Sequence, residues 1–152
     1  MPRRLTLALV VLLVAASPAS APPPHPARGA KHQLLVENTD RGTVLHIRLR
    51  PGEVFSVVYH HSIYDQPVTE DFVVDQEGQI VLRAVTSPSP AVREYFGITS
   101  AGERHAMARA MREIVFRIAT GTAQRLRAGG VERSFLELGE RGDRLVLRAD
   151  PS

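Results

Sequence analysis

The chain has 152 residues, no cysteine, and 19 basic against 16 acidic side chains. Without cysteine there is neither a disulfide nor a thiolate metal site. Setting aside Arg3 and Arg4 brings the charge close to balance, which leaves no electrostatic footprint for nucleic acid and excludes that class of partner.

Arg3 and Arg4 precede an uncharged, mostly apolar run from Leu5 to Ala16, and small residues follow. This is the three-part pattern of a secretion signal, read here over residues 1–21. A membrane-spanning helix requires about 20 apolar residues, so the run reads as a cleaved signal and not as an anchor. Cleavage fits after Ala16 or after Ala21, the second leaving Pro22 next to the cut. The expectation is a periplasmic or secreted protein. Residues 22–31 carry Pro22, Pro23, Pro24 and Pro26 and read as an extended Pro/Ala-rich tether. Residues 32–150 then suit a single β-rich domain.

Gln33 to Glu37 is a short apolar run, closed by the turn residues Asn38 to Gly42. From Thr43 to Arg50 the chain alternates, with Leu45, Ile47 and Leu49 on one face and Val44, His46, Arg48 and Arg50 on the other, as in a half-buried strand. Strands are also expected over Glu53–Ser62, Pro67–Asp75 and Gln79–Thr86, a β-meander. Ser100 and Glu103 have capping-box spacing, and Met107, Ala110, Met111 and Ile114 recur at helical intervals. That predicts one helix over Ala101–Arg112. Beyond it, Ile114–Ile118, Ala123–Ala128, Val131–Leu138 and Arg144–Ala149 read as further strands in hairpins, with Gly129-Gly130 as a turn. The predicted fold is mainly β, an antiparallel sandwich or partly open barrel of about eight short strands with one helix.

The densest chemistry lies between Tyr59 and Val74. With Ile63–Gln66 as a four-residue connection, Ser62 faces Pro67 and Tyr59 faces Glu70. One face then carries Phe55, Val57, Tyr59, His61, Val68, Glu70, Phe72 and Val74, and is the more apolar. Glu70 on that face must pair, protonate or line a wet cavity, with His61 and Tyr59 as its expected partners. Tyr59, His61, Ser62 and Glu70 are therefore the candidate ligand-binding residues. A Ser-His-acid nucleophile requires Ser62 within reach of His61, yet consecutive strand residues point to opposite faces. No catalytic residue is assigned. His60 and His61 cannot share an ion for the same reason, and no metal or cofactor is expected. His105 reads as solvated on the predicted helix, and Asp71, Asp75 and Glu77 as solvated acids. Arg93, Glu94, Tyr95 and Phe96 follow a Pro-rich bend and can cover one end of the sheet.

The run His61-Ser62-Ile63, then Pro67-Val68-x-Glu70-x-Phe72-x-Val74, with Gly78 to Leu82 continuing it, resembles the bacterial domain-of-unknown-function family 1850. The tail around Arg117-Ile118, Leu126, Gly129-Gly130 and Leu145 to Arg148 is similar in composition. One departure is clear: Ser87-Pro88-Ser89-Pro90-Ala91 stands where family members carry a Ser-x-Gly-Ala-Gly segment. The resemblance implies an exported small β-domain that accompanies a tripartite (TRAP) transporter of the TAXI class, and it implies no reaction. The expected function is thus an accessory domain that binds a small carboxylate or a transporter subunit through His61 and Glu70. The alternatives are a hydrolase or lyase using His61, Ser62 and Glu70, and a purely structural envelope protein.

Overall fold

The computed structural model describes residues 32–119 and 124–151. The secretion signal, its two cut points, the tether and Ala123 lie outside them. Ten strands form two antiparallel sheets in the described residues. They are β1 (His32–Asn38), β2 (Thr43–Leu49), β3 (Phe55–His60), β4 (Pro67–Val74), β5 (Ile80–Thr86), β6 (Arg104–Met111), β7 (Glu113–Arg117), β8 (Arg125–Ala128), β9 (Val131–Ser134) and β10 (Arg144–Pro151). One sheet runs β2-β1-β10-β7, the other β6-β5-β4-β3-β8-β9. Neither closes on itself, so the architecture is a β-sandwich and not a barrel.

Strand alternation builds the core. Leu34, Val36, Ile47, Leu49, Leu145 and Leu147 point inward from the four-stranded sheet. Phe55, Val57, Val68, Phe72, Ile80, Leu82 and Leu126 meet them from the six-stranded sheet in one cluster. Phe55 and Phe72 face each other across β3 and β4 with ring centroids 5.3 Å apart. Each of these side chains contributes about 1.5–3 kcal/mol by leaving water. On the outer face of the six-stranded sheet Asp71 is buried, in contrast to the solvated acid expected. Ser56 Oγ donates to its Oδ1 at 2.5 Å, and Arg104 Nη1 closes an ion pair with its Oδ2.

The meander β3-β4-β5-β6 is as expected in its first three strands, but the predicted helix over Ala101–Arg112 is the strand β6. Its helical periodicity is overruled by ladder pairing: Thr86 faces Arg104, Val85 faces His105 and Ile80 faces Met111, which supplies more partners than an isolated amphipathic turn. Ser100 caps nothing here. Its Oγ lies 3.0 Å from Nδ1 of His105, and His105 Nε2 donates to the Gly102 carbonyl at 2.8 Å. His105 is therefore buried and fully bonded, not solvated.

The helix sits earlier. α1 (Pro90–Tyr95) starts with Ser89 Oγ accepting from Val92 N, has proline in its first turn, and buries Val92. It ends in a Schellman motif, with Ile98 N donating to Arg93 O and Gly97 N to Glu94 O. Gly97 supplies the positive φ of 75° that this requires. The Ser87–Ala91 segment thus works as a helix entry. A true capping box joins Ser134 and Glu137 around the 3₁₀ turn Phe135–Glu137, where a continuous strand to Leu138 was predicted.

The last predicted hairpin is also different. β10 does not pair with β9; it lies between β1 and β7, with Val36 opposite Leu147 and Leu147 opposite Ile114. Asn38 fixes this placement. Its Oδ1 accepts from Asp40 N and Arg41 N, while its Nδ2 donates to Leu138 O at 3.1 Å and to Asp143 Oδ2 at 2.9 Å. The same Asp143 oxygen accepts from Glu140 N and Arg41 Nε. Gly139 packs so tightly here that a Cβ would meet the Asn38 amide and lie 2.7 Å from Asp143 Oδ2.

These donors, Asn38 first, hold the Asp143 carboxyl well below its ordinary value of 3.8, at about 2. A depressed carboxylate stabilises the fold above its unfolded pKa and loses that contribution as pH falls from 3.8 through about 2. Asp143→Asn is expected to melt below the wild type at pH 7, with the gap narrowing toward pH 2. Circular-dichroism melts across that range check it, and a gap independent of pH would contradict it.

Candidate functional site

The β3–β4 hairpin carries the site. The observed register sets Tyr59 opposite Val68, Val57 opposite Glu70 and His60 opposite Pro67. The connection is His61–Gln66, longer than the four residues expected, and the ladder is displaced by two residues. A displacement by an even number keeps each side chain on its face. The apolar face is therefore the one read from the sequence.

Glu70 is half-buried, and Tyr59 Oη donates to its Oε1 at 2.5 Å. The two residues are diagonal neighbours on the core face, within reach of a long aromatic side chain. Burial raises the Glu70 pKa above the usual carboxylate range, opposed by the Tyr59 hydrogen bond and by the charge of Arg109 on β6. Burial, then the Glu70 charge, pushes the Tyr59 hydroxyl up as well. The tyrosine thus holds its proton and donates it to the carboxylate. Phe116 packs edge-on against Tyr59 at 6.3 Å, and Phe135 against Phe116 at 5.4 Å.

His61 is not the partner of Glu70. It has left the ladder, and its backbone starts a tight loop: His61 N donates to Gln66 O and Asp65 N to His61 O, both at 2.8 Å. Asp65 takes a left-handed φ of 46° to close it. Nδ1 of His61 lies 3.3 Å from the Ile63 amide, a donor, so it accepts there and the ring proton sits on Nε2. The buried ring is sandwiched between Tyr64, centroids 5.0 Å apart, and Tyr95 of α1, at 4.6 Å edge-on. Arg93–Phe96, read from the sequence as a set that can cover one end of the sheet, lies at the end of the short helix α1, and its Tyr95 packs on the His61 ring.

Ser62 is exposed in the loop and bonds neither His61 nor Glu70 among the described residues. Of the four candidates the structure joins Tyr59 to Glu70, places His61 one layer further out, and leaves Ser62 in solvent. No Ser-His-acid relay is assembled, because Nδ1 of His61 and Oε1 of Glu70 are each committed elsewhere. Among the described residues no three His, Asp or Glu side chains converge as metal ligands. Three clefts among the described residues lie elsewhere, and none of them is lined by Tyr59, His61 or Glu70.

The sequence reading did not link three side chains to the site: Tyr64 and Tyr95 flank His61, and Arg109 acts on Glu70. The signal for Tyr95 was present in Ser89-Pro90 and Gly97, the entry and exit residues of a short helix.

The chain is thus an open antiparallel β-sandwich with a half-buried tyrosine–carboxylate pair in the hairpin that carries the aromatic cap. No protein-family model, curated protein or solved structure matches it.

Tyr59→Phe leaves a buried carboxylate oxygen without its donor and is expected to cost about 1–3 kcal/mol in urea unfolding. Because the folded-state pKa of Glu70 is raised, the folded protein holds that proton to higher pH, and stability falls as pH rises above 4.5. Glu70→Gln removes this loss. The variant should gain on the wild type between pH 5 and pH 8, and an unchanged difference across that range would contradict the burial argument.

Proposed function

We propose that this chain is an exported, non-enzymatic accessory domain that docks a partner protein through the tip of the β3–β4 hairpin. The observation that carries this reading is the aromatic cap. Ile63, Tyr64 and Tyr95 are large and apolar, yet they are 70%, 40% and 62% exposed around one buried histidine ring. Scattered exposed apolar residues are ordinary, whereas a gathered set of this kind marks a contact surface. Tyrosines are favoured anchors there, because they cover a large area at a small cost in side-chain freedom. The loop beneath is pinned by its own hydrogen bonds, so the cap is presented ready-formed and little ordering opposes docking. His60 and Asp65 border it as a polar rim, their Nδ1 and Oδ1 3.2 Å apart.

The partner we propose, a subunit of a TRAP-type solute transporter, rests on the resemblance of the hairpin run to family 1850. In this reading Tyr59 and Glu70 brace the hairpin from within, and His61 holds the two tyrosines apart. A hydrolase or lyase has less support, since Ser62, His61 and Glu70 share no hydrogen bond among the described residues.

Co-expression with the subunits of a tripartite transporter from the same genome should retain one of them on the tagged domain. Tyr64→Ala with Tyr95→Ala should weaken that retention about tenfold or more while the melting temperature stays close to wild type. Retention of no subunit would reject the transporter partner, and retention indifferent to both substitutions would reject the cap.

Export has its own check. Intact mass of the protein recovered from the periplasmic fraction should correspond to a chain starting at Ser17 or Pro22. A full-length mass confined to the cytoplasm would reject it.

A further inference from the structure

The four-stranded sheet stops at β7 with its cover incomplete. Among the described residues β7 pairs with β10 alone. Leu145 and Leu147 of β10 are 0% exposed, whereas Ile114 and Phe116, the inward-facing residues of β7, are only half-buried. Val115, on the outer face, is 45% exposed. We propose that this edge is a dimer interface, in which β7 pairs antiparallel with β7 of a second copy about a two-fold axis through Val115.

The backbone is in the right phase for this. In an antiparallel ladder, alternate residues of a strand bond a given neighbour. Ile118 N donates to Asp143 O at 2.9 Å, so Phe116 and Ile114 are the β7 residues whose amides and carbonyls face β10. Those of Glu113, Val115 and Arg117 point away from it. The Arg117 carbonyl accepts from Gln124 Nε2 at 3.0 Å, as an outward-facing group would, and Ala119 N donates to Gln124 Oε1 at 2.6 Å. That side-chain amide imitates a neighbouring strand and closes the edge beyond Arg117. About the two-fold axis, each Val115 N–H meets the other Val115 carbonyl, and each Arg117 N–H meets the second copy's Glu113 carbonyl.

The side chains select the occupant. Pairing centred on Val115 sets Glu113 opposite Arg117, Ile114 opposite Phe116, and Val115 opposite itself. Unlike charges and apolar groups thus meet at every position, as in the cross-strand pairs that stabilise sheets. A register displaced by two residues would set Glu113 or Arg117 against Val115 and lose both charge pairs. Arg148 Nε holds Glu113 Oε2 at 3.0 Å, and Arg117 Nη1 donates to Gly142 O at 2.9 Å. Glu113 Oε1 and Arg117 Nη2 form no hydrogen bond among the described residues and serve the second copy. The other sheet edges lack this self-complementarity. β2 carries Arg48, and β6 carries Arg104 and Arg109, with no acid on either strand, while Glu132 of β9 is already bonded to Arg125 and Arg127. A contact that pairs one surface with itself closes at two subunits and does not propagate.

Sedimentation equilibrium of the purified chain from about 10 μM to about 1 mM tests this, and a monomer–dimer equilibrium with Kd of about 100 μM or tighter is expected. Val115→Pro removes an N–H that the β10 ladder does not use, so it should fold, as circular dichroism would show, and remain monomeric. Arg117→Glu sets like charges against each other twice and should weaken the dimer about tenfold or more. Adding Glu113→Arg to it exchanges the charges and should restore Kd to within about threefold of wild type. A monomer throughout the range overturns the proposal, and so does a dimer indifferent to these substitutions. Failure of the charge exchange to restore pairing overturns the register. Tyr64→Ala with Tyr95→Ala leaves this equilibrium unchanged, so the cap and the edge fail separately.

Discussion

The position of β10 is the constraint on which the sandwich depends. Two of the three seams in the four-stranded sheet are its own, one with β1 and one with β7. Its alternation places Leu145 and Leu147 in the core and Arg148 outside, where the guanidinium reaches Glu37 and Glu113 at 2.9 and 3.0 Å. A slip by one residue would turn that arginine toward the core and both leucines away from it. Asn38 and Asp143 prevent the slip from the end of the strand, because every polar atom of the Asn38 side chain is already bonded. The hydrophobic pattern chooses the face, and the hydrogen-bond node chooses the register.

The same division operates at the β3–β4 hairpin. Burial of the apolar face brings Glu70 into low-dielectric surroundings, and Tyr59 is the group that satisfies it. That pair stiffens the hairpin from inside while the loop stiffens itself from outside. β3 thereby becomes a rigid strand that carries the aromatic surface at the hairpin tip.

Much of this was legible in the sequence where local chemistry and tertiary contacts agree. The alternation of Phe55, Val57 and Tyr59 against Val68, Glu70 and Phe72 identified the buried face, and Tyr59 was rightly named a partner of Glu70. His61 was not, because pairing it with Glu70 required a four-residue loop, and the loop geometry at Asp65 is not encoded by any glycine. Ala101–Arg112 misled for a physical reason: Met107, Ala110 and Met111 satisfy a helical period, while their true neighbours on β5 lie more than twenty residues earlier in the chain. Asp71 was read as solvated because its partner Arg104 belonged to that misassigned segment.

The central placement of β10 also orders events in time. Leu147 meets Val36 across a separation of more than a hundred residues, and contacts of that range make folding slow, because loop closure must precede any reward from pairing. Until β10 has been synthesised, β1 is paired on one side alone, with β2, and β7 has no strand partner. A ribosome-bound or partly emerged chain therefore has no native state available to it.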